Sequence, residues 1–357
     1  MRILVLGATG YVGSRVVPAL LEAGHSVVAA SSSEPDPGRF AWGNDVDWVR
    51  CDVTDGDAVR TALTDVEGVC YLVHSLDERS FKDRDRVGAE TVRDALADSD
   101  VRRVVYLSGL VPDVPTEELS DHIASRLEVE ETLAQAASAA RTVLALRAGV
   151  VMGAGSTSFE VIRELASLLV VQPIPERLAH KVQPIAVSDV LRAMVEAFPA
   201  TGQGRGLARE SGAVDIGGPD VRAYSELLTD FAEAAGLRRA QVPTPPVPAP
   251  LVSLGAAAMS TAPFWTVNAL VDSLRHDMVC RPDHTWVPAD GLPLMGVTEA
   301  MNLALGPEES ASEASLPSDS ENGLRAPVLD ELKAPTTMRA AGSLVWSRLQ
   351  SLRRSGS

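Results

Sequence analysis

The seven residues Gly7-Ala8-Thr9-Gly10-Tyr11-Val12-Gly13 constrain this chain most, because they directly follow an apolar run (Ile3, Leu4, Val5, Leu6) and open a helical pattern. Each glycine at this spacing answers a separate steric demand. Gly7 permits a tight strand-to-helix turn, Gly10 lets main chain approach a phosphate where a β-carbon would collide, and Gly13 brings helix and strand together. The helix start then offers unpaired N–H groups and the positive end of its dipole to an anion. The alternative is a glycine-rich turn with no ligand. Position, spacing and flanking elements agree on a phosphate turn, with Thr9, Tyr11 and Val12 completing it.

The rest of the first half repeats that theme. Apolar strands are predicted at 2–6, 26–30, 47–50, 68–73, 103–108 and 142–147, alternating with helices such as 11–23 and 57–63. In the first helix Val12, Val16, Leu20 and Ala23 recur at three and four residues and form one buried stripe. Strand and helix in strict alternation predict an α/β fold, a doubly wound parallel sheet of the Rossmann type. After Met152 the alternation breaks, and helices are predicted at 159–169, 188–197 and 225–235 among short strands and proline-rich loops. The reading is a dinucleotide-binding domain over 1–155, rejoined by 181–216, and a smaller C-terminal substrate lobe interleaved over 156–305.

Residues 306–335 turn to Glu, Ser, Ala and Pro, a composition expected to be disordered because it buries too little apolar area to offset chain entropy. Over 336–357 a helical rhythm returns. Met338, Ala341, Val345, Leu349 and Leu352 share a face, while Arg339, Arg348, Arg353 and Arg354 make the segment basic. This tail helix is expected to make a weak peripheral contact with a protein partner or an anionic membrane surface.

Charge and cysteine content exclude other classes. Thirty-two basic against 48 acidic residues leave a net charge of −16, which repels a phosphate backbone, so no nucleic-acid partner is expected. Three scattered cysteines, Cys51, Cys70 and Cys280, do not make a disulfide framework. The first strand meets glycine too early for a signal-peptide core, and a cytoplasmic location is the expectation. Residues 242–271 carry no charge, yet six prolines interrupt them. An extended connector and two short helices, 251–261 and 264–274, are expected there instead of a membrane span.

The carboxyl ends of the strands supply the other candidate contacts. Ala30-Ser31-Ser32-Ser33 ends the second strand with neither a carboxylate for a ribose 2′-hydroxyl nor an arginine for a 2′-phosphate. With Ser32 at the contact and Arg39 nearby, NADP(H) is slightly preferred over NAD(H). Asp52 and Val53 follow the third strand, where Asp52 meets an adenine edge or caps the helix near Asp55. Leu72, Val73 and His74 follow the fourth, beside the cofactor ribose. Gly149 either admits the nicotinamide or is a plain loop glycine.

Several short motifs in one order carry a family resemblance: the glycine turn, Tyr71-Leu72-Val73-His74-Ser75, Val104-Val105-Tyr106-Leu107-Ser108-Gly109, Ser125-Arg126-Leu127-Glu128-Val129-Glu130, Leu146-Arg147-Ala148-Gly149-Val150-Val151-Met152-Gly153, Gln183-Pro184-Ile185-Ala186-Val187-Ser188-Asp189-Val190 and Asp215-Ile216-Gly217-Gly218-Pro219. Over residues 1–300 the chain resembles the NmrA-like branch of the atypical short-chain dehydrogenases. The resemblance implies a serine after the fifth strand, matched by Ser108, and a helical tyrosine and lysine four residues apart. Here that pair is His122 and Arg126, so the spacing is kept and the chemistry changes. Both side chains fall on one helical face. His122 is then either a proton donor near neutral pH or merely the start of a helix behind Ser120 and Asp121. Arg126 stays charged and can bind ribose or substrate oxygen. The resemblance implies an NAD(P)-dependent oxidoreductase for a small carbonyl or hydroxyl compound of unknown identity, or else a non-catalytic dinucleotide sensor or accessory subunit.

No metal site is expected. His276, Cys280 and His284 fall at four-residue spacing, but Pro282 should end their helix, and no fourth ligand stands by. Gly153-Ala154-Gly155-Ser156-Thr157-Ser158 lacks the pattern of a nucleophile elbow or a lysine-bearing phosphate loop, and is read as lining the substrate entrance.

Overall fold

In the computed structural model, which describes residues 1–74, 81–199 and 206–306, the predicted strands become β1 (Arg2–Leu6), β2 (Ser26–Ser31), β3 (Asp47–Arg50), β4 (Gly68–Tyr71), β5 (Arg103–Gly109) and β6 (Thr142–Ala148). They form one parallel sheet with the strand Gly212–Ile216, in the spatial order Gly212–Ile216, β6, β5, β4, β1, β2, β3. The order reverses between β1 and β4, which pair through Ile3–Gly68 to Leu6–Tyr71. Ligands of open α/β sheets bind outside the carboxyl ends of the strands at such a reversal.

Five helices cover this sheet, α1 (Gly13–Glu22), α2 (Gly56–Ala62), α3 (Phe81–Leu96), α4 (Asp121–Ala134) and α6 (Val187–Glu196), while α5 (Thr157–Leu168) packs in the second lobe. Side chains of the sheet point alternately to its two faces, and both are covered. Ile3, Val5, Cys70, Val105 and Leu146 pack with Val16, Leu20 and Val190 on one side, whereas Leu4, Leu6, Val69, Tyr71 and Val104 pack with Val92, Leu96 and Leu133 on the other. Two faces buried this way explain the near-continuous apolar strands.

Beyond α6 come α7 (Tyr224–Ala234), α8 (Ala249–Met259), α9 (Phe264–Ser273) and α10 (Val297–Leu305). The lobe has its own core of Met152, Phe159, Ile162, Leu227, Phe231, Leu274 and Met301. The uncharged stretch folds as two short helices behind a strand, Ala240–Pro243, that pairs with Val171–Ile174. No helix among the described residues is long and apolar enough to cross a membrane.

One predicted helix is absent. The segment around His276 runs extended, because the Met278 backbone bonds to both Lys181 and Gln183, and only Pro282–His284 makes a short turn. His276 and Cys280 therefore share no helical face, and among the described residues no group of side chains could hold a metal ion. The predicted disordered stretch and tail helix, apart from Gly306, lie outside the described residues.

Candidate functional site

The glycine turn sits at the sheet's reversal. Gly7 adopts φ +89°, and a β-carbon on it would lie 3.2 Å from the Leu72 carbonyl at the end of β4. A β-carbon on Gly13 would run into the Gly7 carbonyl and the Ala8 backbone, so helix and strand pack too closely for anything larger. Gly10 is different. It is exposed, and a β-carbon there would meet only the Gly7 carbonyl, 3.4 Å away, so nothing in the protein demands glycine. Behind it α1 starts at Val12 without a side-chain cap, although capping residues are strongly preferred at helix starts. An open glycine before an uncapped helix start fits a bound pyrophosphate.

Tyr11 ties this turn to the second lobe. Arg15 lies 3.9 Å over its ring, donates to the Tyr11 carbonyl at 2.8 Å and reaches the Ala154 carbonyl at 3.3 Å. A β-carbon on Gly153 would come 2.5 Å from the Tyr11 hydroxyl oxygen. Half-buried Thr9 and Val12 complete the turn.

At the end of β2, Ser31 is buried, Ser32 is exposed, and the hydroxyls of Ser31 and Ser33 lie 3.2 Å apart. Arg39 stands over the Phe40 ring at 5.4 Å. Arg50, which sequence reasoning missed, is the register partner of Ser31, largely exposed and held only loosely by Glu34 at 3.9 Å. Asp52 is not a helix cap. Its carboxylate accepts from the Thr54 amide at 3.0 Å and hydroxyl at 2.9 Å, while Asp55 caps α2. These bonds, with Arg84 at 3.5 Å, hold Asp52 below the usual carboxylate range despite some desolvation. Val53 is buried in the core, where a β-carbon on Gly88 would lie 2.8 Å from its methyl group. Its side chain therefore packs in the core. Leu72 and Val73 pack on opposite faces of the sheet, and His74 follows them.

The catalytic candidates converge at the end of β5, where α4 packs. Ser108 is 1% exposed, and its hydroxyl has no hydrogen-bond partner among the described residues. Ser120 caps α4 through the Ile123 amide at 3.3 Å, and this places His122 in the first turn. His122 Nδ1 and the Ser125 hydroxyl are in the same condition: both are buried and neither has a partner among the described residues. Arg126 donates to the Leu107 carbonyl at 3.1 Å and packs beside Gly109, and Nε of its guanidinium also has no hydrogen-bond partner among the described residues. Burial first, then the Arg126 charge, then His74 pushes His122 well below the ordinary histidine range. His122 is therefore a neutral imidazole at physiological pH. Buried polar groups ordinarily find partners, and several orphans on adjacent elements mark a surface completed by a ligand.

Gly149 has a reason within the protein. A β-carbon there would collide with the Gln183 carbonyl, so the glycine serves the close passage of residues 149 and 183. Asp85 was not legible as a site residue. It is 4% exposed on α3 and accepts from His74 Nδ1 at 3.0 Å.

A parallel sheet with a glycine turn at its reversal defines a dinucleotide-binding protein. The family model described as the NAD dependent epimerase/dehydratase family matches residues 3–206, and the chain belongs to that family. An uncharacterized protein of Mycobacterium tuberculosis (strain ATCC 25618 / H37Rv) is 33% identical over 110 residues, which span 30% of this chain but only 12% of that protein. Among solved structures, a nucleoside-diphosphate-sugar epimerase from Staphylococcus aureus superposes with a TM-score of 0.65 at 14% identity, covering 85% of this chain and 100% of that one. The UDP-glucose 4-epimerase of Thermus thermophilus, in complex with NAD, superposes at 0.54 with 21% identity, covering 77% and 99%. At these identities the likeness is one of fold.

Proposed function

We propose that this chain is an NAD(P)(H)-dependent oxidoreductase that reduces or oxidises a small carbonyl or hydroxyl compound, with His122 and Arg126 in place of the tyrosine and lysine of the wider family. The observation that carries this reading is that Ser108 Oγ at the end of β5 and His122 Nδ1 in the first turn of α4, the helix packed against β5, are both buried and without a hydrogen-bond partner among the described residues. When bound, the nicotinamide supplies or accepts the hydride. Ser108 then holds the substrate oxygen, His122 exchanges its proton as a neutral imidazole, and Arg126 steadies the negative charge that develops on oxygen. The departure at residues 122 and 126 supports placement in the NmrA-like branch, and unpaired Cys51, Cys70 and Cys280 fit a reducing cytoplasm.

The proposed cofactor is NADP(H). Its support is the absence of a carboxylate at Ser31-Ser32-Ser33 and the exposed Arg50 beside Ser31. A dinucleotide sensor without turnover is the second reading, favoured by the bond that ties Arg126 to the Leu107 carbonyl.

Both readings meet one experiment: reduced dinucleotide with a panel of aldehydes and ketones, followed by the loss of reduced-nicotinamide absorbance for the parent and for His122→Ala. Turnover that falls by about 10²- to 10⁴-fold in the variant supports the enzyme. No turnover by a parent that binds dinucleotide supports the sensor.

A further inference from the structure

His122 is enclosed, and the Arg126 guanidinium shares its helical face, so a full positive charge on its ring is unfavourable. A proton needed at this site therefore requires another store. The neighbouring ring supplies the geometry. His74 lies with its centroid 5.1 Å from that of His122, at an interplanar angle of 37°. The rings are near neighbours, and a modest rotation of either brings a nitrogen of one toward a nitrogen of the other. On its other side His74 Nδ1 meets the Asp85 carboxylate at 3.0 Å. Asp85 is almost fully buried, whereas His74 keeps 19% of its side chain exposed, although its Nε2 is enclosed, so His74 is the member of the trio that a small ring movement opens to water.

Resting on the oxidoreductase reading above, we propose that His74 is the proton store of this site, that Asp85 is its positioning residue, and that His122 relays the proton between His74 and the reacting oxygen. In the reducing direction the carbonyl carbon receives the hydride, and the electron pair of the C=O π bond moves to oxygen. Oxygen takes a proton from one nitrogen of His122 as the other nitrogen takes one from Nε2 of protonated His74. His122 changes tautomer and is never doubly protonated. His74 is left neutral with its Nδ1–H on Asp85, and water reprotonates the enclosed Nε2 once a movement of the ring opens it. Among the described residues, the charged and titratable groups around the pair include Asp85 from α3, His122 and Arg126 from α4, and the phenols of Tyr71 on β4 and Tyr106 on β5. A carboxylate on one imidazole nitrogen fixes the tautomer and stabilises the imidazolium.

Two measurements on the full chain test this, using Asp85→Asn with Asp85→Glu as the conservative variant. The first follows the His74 ring by NMR through a pH titration with no substrate. Its proton should be lost at least about one pH unit lower in Asp85→Asn, with the parent value largely restored in Asp85→Glu. An unmoved titration overturns the proposal whatever the enzyme does. The second is the pH profile of carbonyl reduction, whose fall at high pH should shift down by a similar amount in Asp85→Asn, with kcat lowered by about 10- to 100-fold. An unchanged profile also overturns the proposal. A parent that reduces nothing on the panel, with a His74 titration that does depend on Asp85, refutes the relay and the enzyme reading together and leaves only the ion pair.

Discussion

Glu130 of α4 and Arg147 of β6 meet in a two-point ion pair, with Nε at 3.0 Å and Nη2 at 2.7 Å from the two carboxylate oxygens and both side chains close to nine-tenths buried. The pair clamps α4 to the sheet two turns beyond His122, and so fixes which way His122 and Arg126 face. Removing one partner strands a buried charge. Glu130→Ala should cost about 3–5 kcal/mol of unfolding free energy, whereas replacing both residues with apolar ones of similar size should be far milder. Urea denaturation of the single and double variants is the check; equal losses would show that burial, not pairing, dominates there.

The roles of the second and third glycines of the turn separate cleanly by mutation. Gly10→Val adds a side chain where the protein itself leaves room, so it should abolish dinucleotide binding and keep the parent's melting temperature. Gly13→Val drives a side chain into the backbone of Gly7 and Ala8, and should lower stability first. Calorimetric titration and thermal melting distinguish the two. Tight binding by a folded Gly10→Val protein would remove the phosphate from this turn.

The turn and the strands are legible in the sequence because their causes are local: close packing at Gly7 and Gly13, room for a phosphate at Gly10, and two buried faces on the inner strands. Ser108, His122 and Arg126 are legible through spacing alone. Asp85 and Arg50 are not. Asp85 meets His74 only because α3 packs over the end of β4, and Arg50 lies beside Ser31 only once β3 has registered against β2. Gly149 shows the same limit from the other side. Its neighbour Gln183 is far along the chain, so the reason the protein itself gives for glycine there is hidden until the fold is known.

Arg50 bears on cofactor choice. If it receives the 2′-phosphate, Arg50→Ala should weaken NADP(H) binding about tenfold or more while leaving NAD(H) within about twofold, since a hydrogen bond to a charged group contributes on the order of 1.5–3 kcal/mol. Arg39→Ala serves as the comparison, because Arg39 stands over Phe40. Titration of all three proteins with both dinucleotides decides it; equal loss for both cofactors in Arg50→Ala would place the arginine outside the discriminating pocket.

The thiols should be slow to react in the folded protein. Burial and the neighbouring Asp52 and Asp55 push the Cys51 thiol up to about 11, and burial with Asp215 pushes Cys280 to about 12. Thiolate is the reactive form, so at a pH of about 8 only about one Cys51 in a thousand is poised to react. A disulfide reagent should find all the thiols at once in guanidinium chloride and react with the native chain only slowly. Rapid native modification of Cys280, the least buried of them, would show that its surroundings open.

His122 also leaves a mark on stability that needs no substrate. Its pKa falls on folding, chiefly through burial, so the unfolded chain takes up a proton below about pH 6.5 while the folded chain does not until much lower. A group that binds more protons when unfolded makes stability rise with pH. His122 should therefore subtract about 1.4 kcal/mol from the unfolding free energy for each pH unit below about 6.5, until the folded state protonates as well. His122→Asn removes this dependence and leaves that of His25, whose pKa is also lowered. Urea curves for the parent and His122→Asn, taken from about pH 7.5 down to about pH 5, should diverge as the pH falls, with the parent losing more. Parallel curves would mean that the folded protein accommodates a charged His122, which would make a simple one-histidine acid sufficient and the relay through His74 unnecessary.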